Sequence, residues 1–453
     1  MDVQTAKNQA LTKESINKFS NGFYESVPNR TIMNAIKKNG IESVAINQDS
    51  IVDMQHTFSN EMNTGEITNQ KQSGRCWMFA GLNTLRHQAA KKLNLESFEL
   101  SQNYQMFWDK FEKANYFLES IIETLDEETD SRLVSWLLMS PVQDGGQWDM
   151  FVNLVDKYGV VPKHVMPETF HSSKSAMMNR LVTLKLREDA ARLRRDYKEN
   201  SVPVEDLRAE KEYMLNDIYR MLCHFLGVPP THFDFEYRDK DDEFHRDTNL
   251  TPIAFYEKYV GVHLEDYVSI INAPTKDKPF NKTYTVKYLG NVKGGKNVLY
   301  LNVEINLLRD LARKQLEDNE PVWFGCDVGK MLDRDFGIMD TNLYDYESAL
   351  GVSFETTKAD RLDYGESQMT HAMVFTGVNL VDGKPNRWKV ENSWGSDIGN
   401  KGFFIMSDSW FDEYMYQIVV QRKYLPENLK SVLEEKPTEL QPWDPMGSLA
   451  YMY

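Results

Sequence analysis

The stretch from Asn69 to Leu85 constrains this chain most, because a polar, glycine-containing loop runs into Cys76 and an apolar, helix-competent segment follows at once. This pattern predicts that the Cys76 thiol lies in the first turn of a helix. Unpaired backbone N–H groups and the positive end of the helix dipole lower the pKa of a thiol placed there. Cys76 is therefore a candidate nucleophile, with a buried structural cysteine as the alternative.

The composition favours a globular protein with two or three domains or one enlarged core. The chain has 453 residues, of which 41% are hydrophobic and 26% charged. Its net charge of −16 repels phosphate backbones and anionic membrane surfaces, so we expect neither nucleic acid nor membrane as a partner. The absence of a signal-like apolar run and the small number of cysteines, three, favour the reducing cytoplasm.

The sequence pattern divides the chain into five segments. Residues 1–60 are interpreted as a wrapping or oligomerisation segment, residues 61–170 as a helical lobe with the nucleophile, and residues 171–250 as a helical insertion. Strand signals dominate residues 251–433, which we expect to form a β lobe. Residues 434–453 contain three prolines and no clear period, so we expect an arm.

Several other site patterns are incomplete. The segment from Gly290 to Asn297 resembles a phosphate-binding loop, but it lacks the Ser or Thr and precedes a strand-like run, so it is interpreted as a hairpin turn. The acidic run from Asp239 lacks the glycine and glutamate of a calcium loop. No His or Cys spacing fits zinc, and we expect neither metal nor cofactor.

A cysteine nucleophile needs a base that takes the thiol proton and returns it to the leaving amine. His371 opens a β-branched and aromatic run, and the segment Asn392-Ser-Trp-Gly395 closes the next strand-like run. Two neighbouring antiparallel strands would place His371 beside Asn392. Taken alone, the histidine is more typical of an ordinary hydrogen-bonded core position, and the second segment is typical of a turn.

Together these features resemble the papain superfamily of cysteine peptidases. The matching residues, in chain order, are Gln70, six positions before the cysteine, then Cys76, Trp77, Gly145, Gly146, His371 and Asn392 to Gly395. The resemblance implies an α+β fold with two lobes. A helical lobe would carry the Cys76 helix, and an antiparallel, barrel-like β lobe would carry His371 and Asn392.

The resemblance also implies a role for each residue. Cys76 and His371 would form a thiolate–imidazolium pair, with the imidazole oriented by Asn392. Gln70 and the Cys76 backbone N–H would stabilise the oxyanion. Trp394 would shield the contact between His371 and Asn392 from water. The substrate-binding residues expected from the resemblance are Gly145, Gly146, Trp77, Trp394 and Tyr453.

Two departures from the general papain pattern identify a branch. Secreted members have a disulfide-forming cysteine three residues before the nucleophile, where this chain has Ser73, and His371 follows Cys76 by 295 residues, about twice the usual separation. This spacing, the Gly-Arg-Cys-Trp-Met-Phe core and the tail from Pro442 to Ala450 resemble bleomycin hydrolase and bacterial aminopeptidase C. The resemblance implies a cytoplasmic homohexamer whose C-terminal arm restricts cleavage to the N-terminal end of peptide substrates.

The end of the arm leaves alternatives open. Residues 451–453 follow the Leu-Ala at which many relatives of this branch stop, and three extended residues span about 10 Å, enough to overfill the groove. The arm therefore takes another path, is trimmed, or is displaced in an oligopeptide endopeptidase. We expect an aminopeptidase. A non-catalytic ring that binds nucleic acid or unfolded peptide is a different class of function, which the net charge disfavours.

Overall fold

The computed structural model describes residues 10–448. The α-helices in chain order are α1 (Lys13–Glu25), α2 (Val27–Asn39), α3 (Ile41–Ala45), α4 (Gln48–Asp53), α5 (Cys76–Lys92), α6 (Gln102–Glu123), α7 (Arg132–Met139), α8 (Trp148–Tyr158), α9 (Phe170–Ser173), α10 (Ala176–Lys198), α11 (Val204–Leu226), α12 (Pro252–Phe255), α13 (Ile305–Glu317), α14 (Tyr346–Leu350), α15 (Lys358–Asp363), α16 (Asp408–Tyr414) and α17 (Glu427–Val432). None of these helices is long and apolar enough to cross a membrane.

The strands in chain order are β1 (Asn60–Glu61), β2 (Phe233–Arg238), β3 (Phe244–Leu250), β4 (Tyr267–Ile271), β5 (Lys282–Val286), β6 (Tyr300–Asn302), β7 (Val322–Cys326), β8 (Leu332–Asp333), β9 (Ile338–Met339), β10 (His371–Val381), β11 (Lys384–Glu391), β12 (Phe403–Ser407), β13 (Met415–Gln421) and β14 (Thr438–Leu440). Helices dominate the first half of the described chain and strands the second. The architecture is therefore the α+β fold expected from the sequence.

Helix α5 is the centre of the helical lobe and begins at Cys76, as the loop-to-helix pattern predicts. It packs against α6, α8 and strand β10, so every residue from Cys76 to Asn83 is buried. Helix α6 starts where the Ser101 hydroxyl accepts from the Tyr104 backbone N–H, a standard N-terminal cap. The nucleophile candidate thus lies at the end of a helix that is enclosed by the fold.

Helices α10 and α11 pack on each other and on α6, and they supply the helical part of the segment interpreted as an insertion. Residues 233–250 of that segment are not helical, because β2 and β3 form an antiparallel hairpin there. The sequence from Phe233 alternates aromatic and charged residues, and this period of two is the signature of a strand.

The second lobe is a twelve-stranded sheet with the order β14-β5-β6-β4-β13-β7-β10-β11-β12-β9-β8, and β1 pairs with β10. Strands β10 and β11 are antiparallel neighbours, as predicted, with Val374 opposite Glu391. The pairs β12–β9, β4–β6 and β14–β5 are parallel. Within the described residues the sheet does not close on itself, so the expected barrel-like lobe is an open, mixed sheet.

Strand β10 is covered on both faces, which explains its nearly continuous apolar sequence. Ala372 and Val374 belong to the core shared with the helical lobe. Met373 and Phe375 belong to a second core that includes residues of α13. Because side chains alternate along a strand, β10 is held between the two cores, and His371 at its start has a fixed position.

A buried ion pair also connects the two lobes. Arg86 on α5 binds Glu391 at the end of β11 at 2.8 Å, and both side chains are almost inaccessible to solvent. The same guanidinium donates to the Glu66 carbonyl at 2.8 Å. The pair fixes the Cys76 helix relative to the strand that precedes Asn392.

We predict that Arg86→Met lowers the free energy of unfolding by roughly 3–5 kcal/mol, because Glu391 then remains buried without a counter-charge. The measurement is urea denaturation followed by circular dichroism. The double variant Arg86→Met/Glu391→Gln removes both charges and should recover much of the lost stability. A single variant as stable as the unmodified protein would contradict this account.

Candidate active site

The loop of residues 70–75, here called the nucleophile loop, is held by side chains rather than by regular secondary structure. The Arg75 guanidinium makes two hydrogen bonds to Glu168, at 2.9 and 2.7 Å, and donates to Ser73 at 2.8 Å. The Ser73 hydroxyl donates to the Gln70 carbonyl at 2.7 Å. Arg75 is almost fully buried, so these charge-assisted bonds fix the backbone that leads into α5.

Cys76 is completely buried at the first position of α5. The backbone N–H of Ala372 is close enough to its sulfur to act on the thiol pKa, so the thiol lies near the residue that follows His371. Burial raises the pKa of the Cys76 thiol to about 12, although the N–H groups of Ala372, Trp77 and Cys76 itself oppose the increase. The helix terminus stabilises the thiolate as expected, but burial has the larger effect, so the lowered thiol pKa predicted from the sequence is not found.

His371 and Asn392 lie side by side, as the strand pattern predicts. His371 Nε2 donates to Asn392 Oδ1 at 2.9 Å, and the same oxygen accepts from the Ser393 backbone N–H at 2.7 Å. Because a carboxamide oxygen can only accept, Nε2 carries the proton and Nδ1 has the free lone pair. Nδ1 has no hydrogen-bond partner among residues 10–448, and it is the nitrogen available to a thiol.

Burial lowers the pKa of His371 to about 4, while the Asn392 hydrogen bond raises it and the positive charge of Arg334 lowers it further. Taken separately, burial therefore favours the neutral forms of the thiol and the imidazole. Transfer of the proton from Cys76 to His371 creates two opposite charges that attract each other strongly where water is excluded. The attraction between the two charges offsets part of the cost of burying each one.

The Gln70 side-chain amide is held at both ends. Its Nε2 donates to the Ser73 carbonyl at 2.7 Å, and its Oε1 accepts from the Ser393 hydroxyl at 2.6 Å. The second Nε2 hydrogen is not used by these bonds and is available to an oxyanion. Sequence reasoning missed Ser393, although it lies inside the Asn-Ser-Trp-Gly turn. Its hydroxyl decides which end of the Gln70 amide is the donor.

Gly146, the second of the adjacent glycines, lies directly against Trp77. A Cβ atom on Gly146 would be 2.4 Å from the Trp77 ring, so a side chain does not fit there. Trp77 Nε1 donates to the Asp144 carbonyl at 2.7 Å, and Lys113 donates to the Gly145 carbonyl at 2.6 Å. Trp77 is fully buried. It therefore supports the glycine segment from beneath, which corrects the expectation that Trp77 contacts substrate.

Trp394 covers the imidazole of His371, with 4.8 Å between the ring centroids. It also lines an open cleft of about 1010 Å³, together with Gly145 and part of the nucleophile loop. This position fits both roles expected of Trp394, which are shielding of the histidine and contact with substrate. Tyr453, the last residue expected to bind substrate, lies outside the described residues.

Asp144 is a site residue that sequence reasoning missed. Its carboxylate accepts from the Gly74 backbone N–H at 2.9 Å, from Lys110 at 2.6 Å, from Asn179 at 2.7 Å and from Ser175. Although burial opposes ionisation, Lys110 and these hydrogen bonds hold the pKa of Asp144 well below its usual range. One carboxylate therefore ties the nucleophile loop to α6 and α10. A single Asp before two glycines is too common a pattern to signal this role.

The arm reaches the same region. The Tyr300 hydroxyl donates to the Met446 carbonyl at 3.1 Å. Two residues later, Gln147 Nε2 donates to the Ser448 carbonyl at 2.7 Å, and the Ser448 hydroxyl donates to the Met369 carbonyl at 2.6 Å. Gln147 follows the two glycines and Met369 lies just before β10. Ser448 therefore bridges the two lobes beside the candidate catalytic residues.

We predict that Asp144→Ala lowers the free energy of unfolding by roughly 3–5 kcal/mol, because Lys110 loses its buried counter-charge. It should also slow alkylation of Cys76 by iodoacetamide, because the Gly74 N–H loses the acceptor that holds the nucleophile loop. The matched control is Asp217→Ala, which breaks an exposed ion pair on α11 and should cost less than about 1 kcal/mol. Equal alkylation rates in the two variants would contradict the positioning role.

Comparisons with known proteins agree with this geometry. The model of the Peptidase C1-like family matches residues 10–447. Aminopeptidase C of Listeria monocytogenes is 53% identical over 440 residues, which cover 97% of this chain and 99% of the relative. Human bleomycin hydrolase is 45% identical over 417 residues, which cover 90% and 91%. The crystal structure of PepW from Lactobacillus rhamnosis HN001 has a TM-score of 0.96 at 54% identity, with 97% and 99% of the chains covered. The chain therefore belongs to the Peptidase C1-like family and is a cysteine peptidase.

Proposed function

We propose that this cysteine peptidase is an aminopeptidase, which removes N-terminal residues from peptides by acyl transfer through Cys76. The observation that carries the proposal is the hydrogen bond from His371 to Asn392, in a site where helix α5, which begins at Cys76, packs against strand β10, which begins at His371. A fixed base beside a thiol is the arrangement that nucleophilic catalysis requires. The names of the relatives, aminopeptidase C above all, support the same activity.

Each step of the proposed reaction uses a group with a defined partner. His371 Nδ1 takes the Cys76 proton, and the thiolate attacks the carbonyl carbon of the first peptide bond. The free hydrogen of Gln70 Nε2 and the Cys76 backbone N–H stabilise the oxyanion. The imidazolium then gives its proton to the leaving amine, and water hydrolyses the acyl-enzyme with His371 again as base. Asn392 keeps the imidazole in the required tautomer throughout.

The course of the arm supports the restriction to N-terminal residues. Ser448 is bound by Gln147, which follows the glycines, and by the Met369 carbonyl, two residues before His371. An arm anchored in the groove at Ser448 would leave room for few substrate residues on the N-terminal side of the cleaved bond. We propose that the arm acts as this stop. The runner-up function is an oligopeptide endopeptidase, which requires the arm to leave the groove.

We also propose that the protein is a homohexamer in the cytoplasm. Helices α1 and α2 bury no side chain within the described chain, yet they carry exposed aromatic residues such as Phe19 and Tyr24, each 64% accessible. Such a surface fits a second copy of the chain, because monomers rarely leave apolar patches uncovered. The mass of the protein in solution, measured by light scattering, tests this assembly.

We predict that Cys76→Ser abolishes hydrolysis of aminoacyl arylamides and that His371→Ala lowers kcat/KM by on the order of 10²–10⁴-fold, the usual contribution of a general base. Cys223→Ser is the matched control, since Cys223 lies on α11 and is only partly buried. The control should retain activity and sensitivity to iodoacetamide. Turnover that survives in Cys76→Ser would reject the proposed function.

Removal of residues 448–453 is expected to convert the aminopeptidase into an endopeptidase, because the anchor across the groove is lost. The substrates are the free-amine and N-acetylated forms of one peptide, with the products identified by mass spectrometry. The unmodified chain should cleave only the free-amine form, one residue from its start. Removal of residues 451–453 alone is the control. It tests whether these three residues overfill the groove, because the anchor at Ser448 is kept. Internal cleavage by the full chain would favour the runner-up.

A further inference from the structure

The chemistry of the site defines where the departing part of the substrate lies. His371 has to deliver a proton to the leaving nitrogen, so the peptide that departs must start beside the imidazole. Trp394 covers that imidazole at 4.8 Å. The arm is bound beside the glycine segment, through Gln147. The Trp394 end of the open cleft is therefore the side that holds the residues after the cleaved bond.

This end of the cleft is basic. The Arg334 guanidinium lies over the Trp394 ring, 4.4 Å from its centroid, and Lys71 lines the same cleft. Asn69, two residues before Lys71, forms a backbone bridge with Trp394, which brings the nucleophile loop to this end. Both basic side chains are exposed, in a chain with 68 acidic and 52 basic residues apart from histidine.

Two acidic residues near these charges, Asp144 and Asp333, already have other partners. Asp144 also lines the cleft, but its carboxylate is occupied by Lys110 and by hydrogen bonds from its neighbours. The carboxylate of Asp333, next to Arg334, accepts from two backbone N–H groups of its own loop. Within residues 10–448 no carboxylate lies within 4.0 Å of the Arg334 or Lys71 side-chain nitrogens. A guanidinium over an indole ring keeps its N–H donors available to a planar acceptor.

We propose that Arg334 and Lys71 form a carboxylate-binding subsite for the peptide that leaves, so that the enzyme prefers substrates with a carboxylate just after the cleaved bond. The inference rests on the proposed peptidase function and adds a substrate preference to it. The carboxylate comes either from an Asp or Glu side chain or from the C-terminus of a short peptide, and both present the same planar pair of oxygens. Bidentate pairing with Arg334 gives the stronger contact, and Lys71 adds a point charge.

The test uses two substrate series. The first is a C-terminally amidated hexapeptide with Glu, Gln or Lys at the second position, which places the side chain directly after the cleaved bond. The second is alanyl-alanine and its amide, which isolates the C-terminal carboxylate. We expect kcat/KM to be about ten-fold higher for Glu than for Gln, the effect of one charge-assisted contact. The ratio should fall in 0.5 M salt, because the basic groups are exposed.

Variants separate this subsite from general charge effects. Arg334→Gln should bring the Glu-to-Gln ratio close to one, Lys71→Gln should lower it partly, and Arg334→Lys should give an intermediate ratio because it keeps the charge without the planar fork. The matched controls are Arg246→Gln and Lys240→Gln, exposed changes on and beside the β2–β3 hairpin. Both controls should keep the ratio of the unmodified enzyme.

The outcomes distinguish this inference from the proposed function. Aminoacyl arylamides carry no carboxylate after the cleaved bond, so their hydrolysis reports the peptidase activity alone. An enzyme that hydrolyses arylamides but turns over the Glu and Gln peptides equally would overturn the subsite and leave the peptidase intact. A Glu-to-Gln ratio that Arg334→Gln does not change would also overturn it. Failure to hydrolyse arylamides at all would instead reject the proposed function.

Discussion

The N-terminus of α5 meets the first residues of β10, and the rest of the site depends on this contact. Helix α5 packs against β10, so Cys76 and His371, which lie 295 positions apart in the chain, are brought to the same site. Their relative position is set by the register of β10, in which His371 pairs with Cys326 of β7. A slip of one residue would turn His371 to the opposite face of the sheet. The two cores that enclose β10 prevent such a slip.

Buried charges hold those parts of the site that lack regular secondary structure. The nucleophile loop belongs to no strand, but it makes isolated backbone hydrogen bonds, from the Gln70 N–H to the Ser393 carbonyl at 2.8 Å and from the Gln72 N–H to the Ser173 carbonyl at 2.9 Å. Two ion pairs, Arg75–Glu168 and Lys110–Asp144, help to position this loop and the glycine segment. Their hydrogen bonds are charge-assisted and directional. Buried ion pairs often add little net stability compared with apolar residues of the same shape. Their value here is geometric, because they fix the backbone on either side of the thiol.

The sequence contains strong local signals for some of these features and none for others. The helix that begins at Cys76 and the cap at Ser101 follow from neighbouring residues, and both are found. The pairing of the β10 and β11 strands followed from their proximity in the chain. The parallel pairs and the open edge of the sheet involve distant strands and were not predictable. The pKa of the Cys76 thiol is raised by burial, which depends on both lobes. The helix terminus alone led to the wrong prediction of a lowered pKa.

Arg334 connects the proposed recognition of substrate with the state of the catalytic pair. Its positive charge contributes to the low pKa of His371, and so it opposes formation of the imidazolium that accompanies a thiolate. A carboxylate bound to Arg334 would neutralise part of that charge and make the imidazolium less costly. Transfer of the proton from Cys76 would then be easier once a preferred peptide is in place. Because both effects would act through one guanidinium, the proposed binding at the leaving side would favour the reactive form of the nucleophile, and such coupling is reciprocal in equilibrium terms.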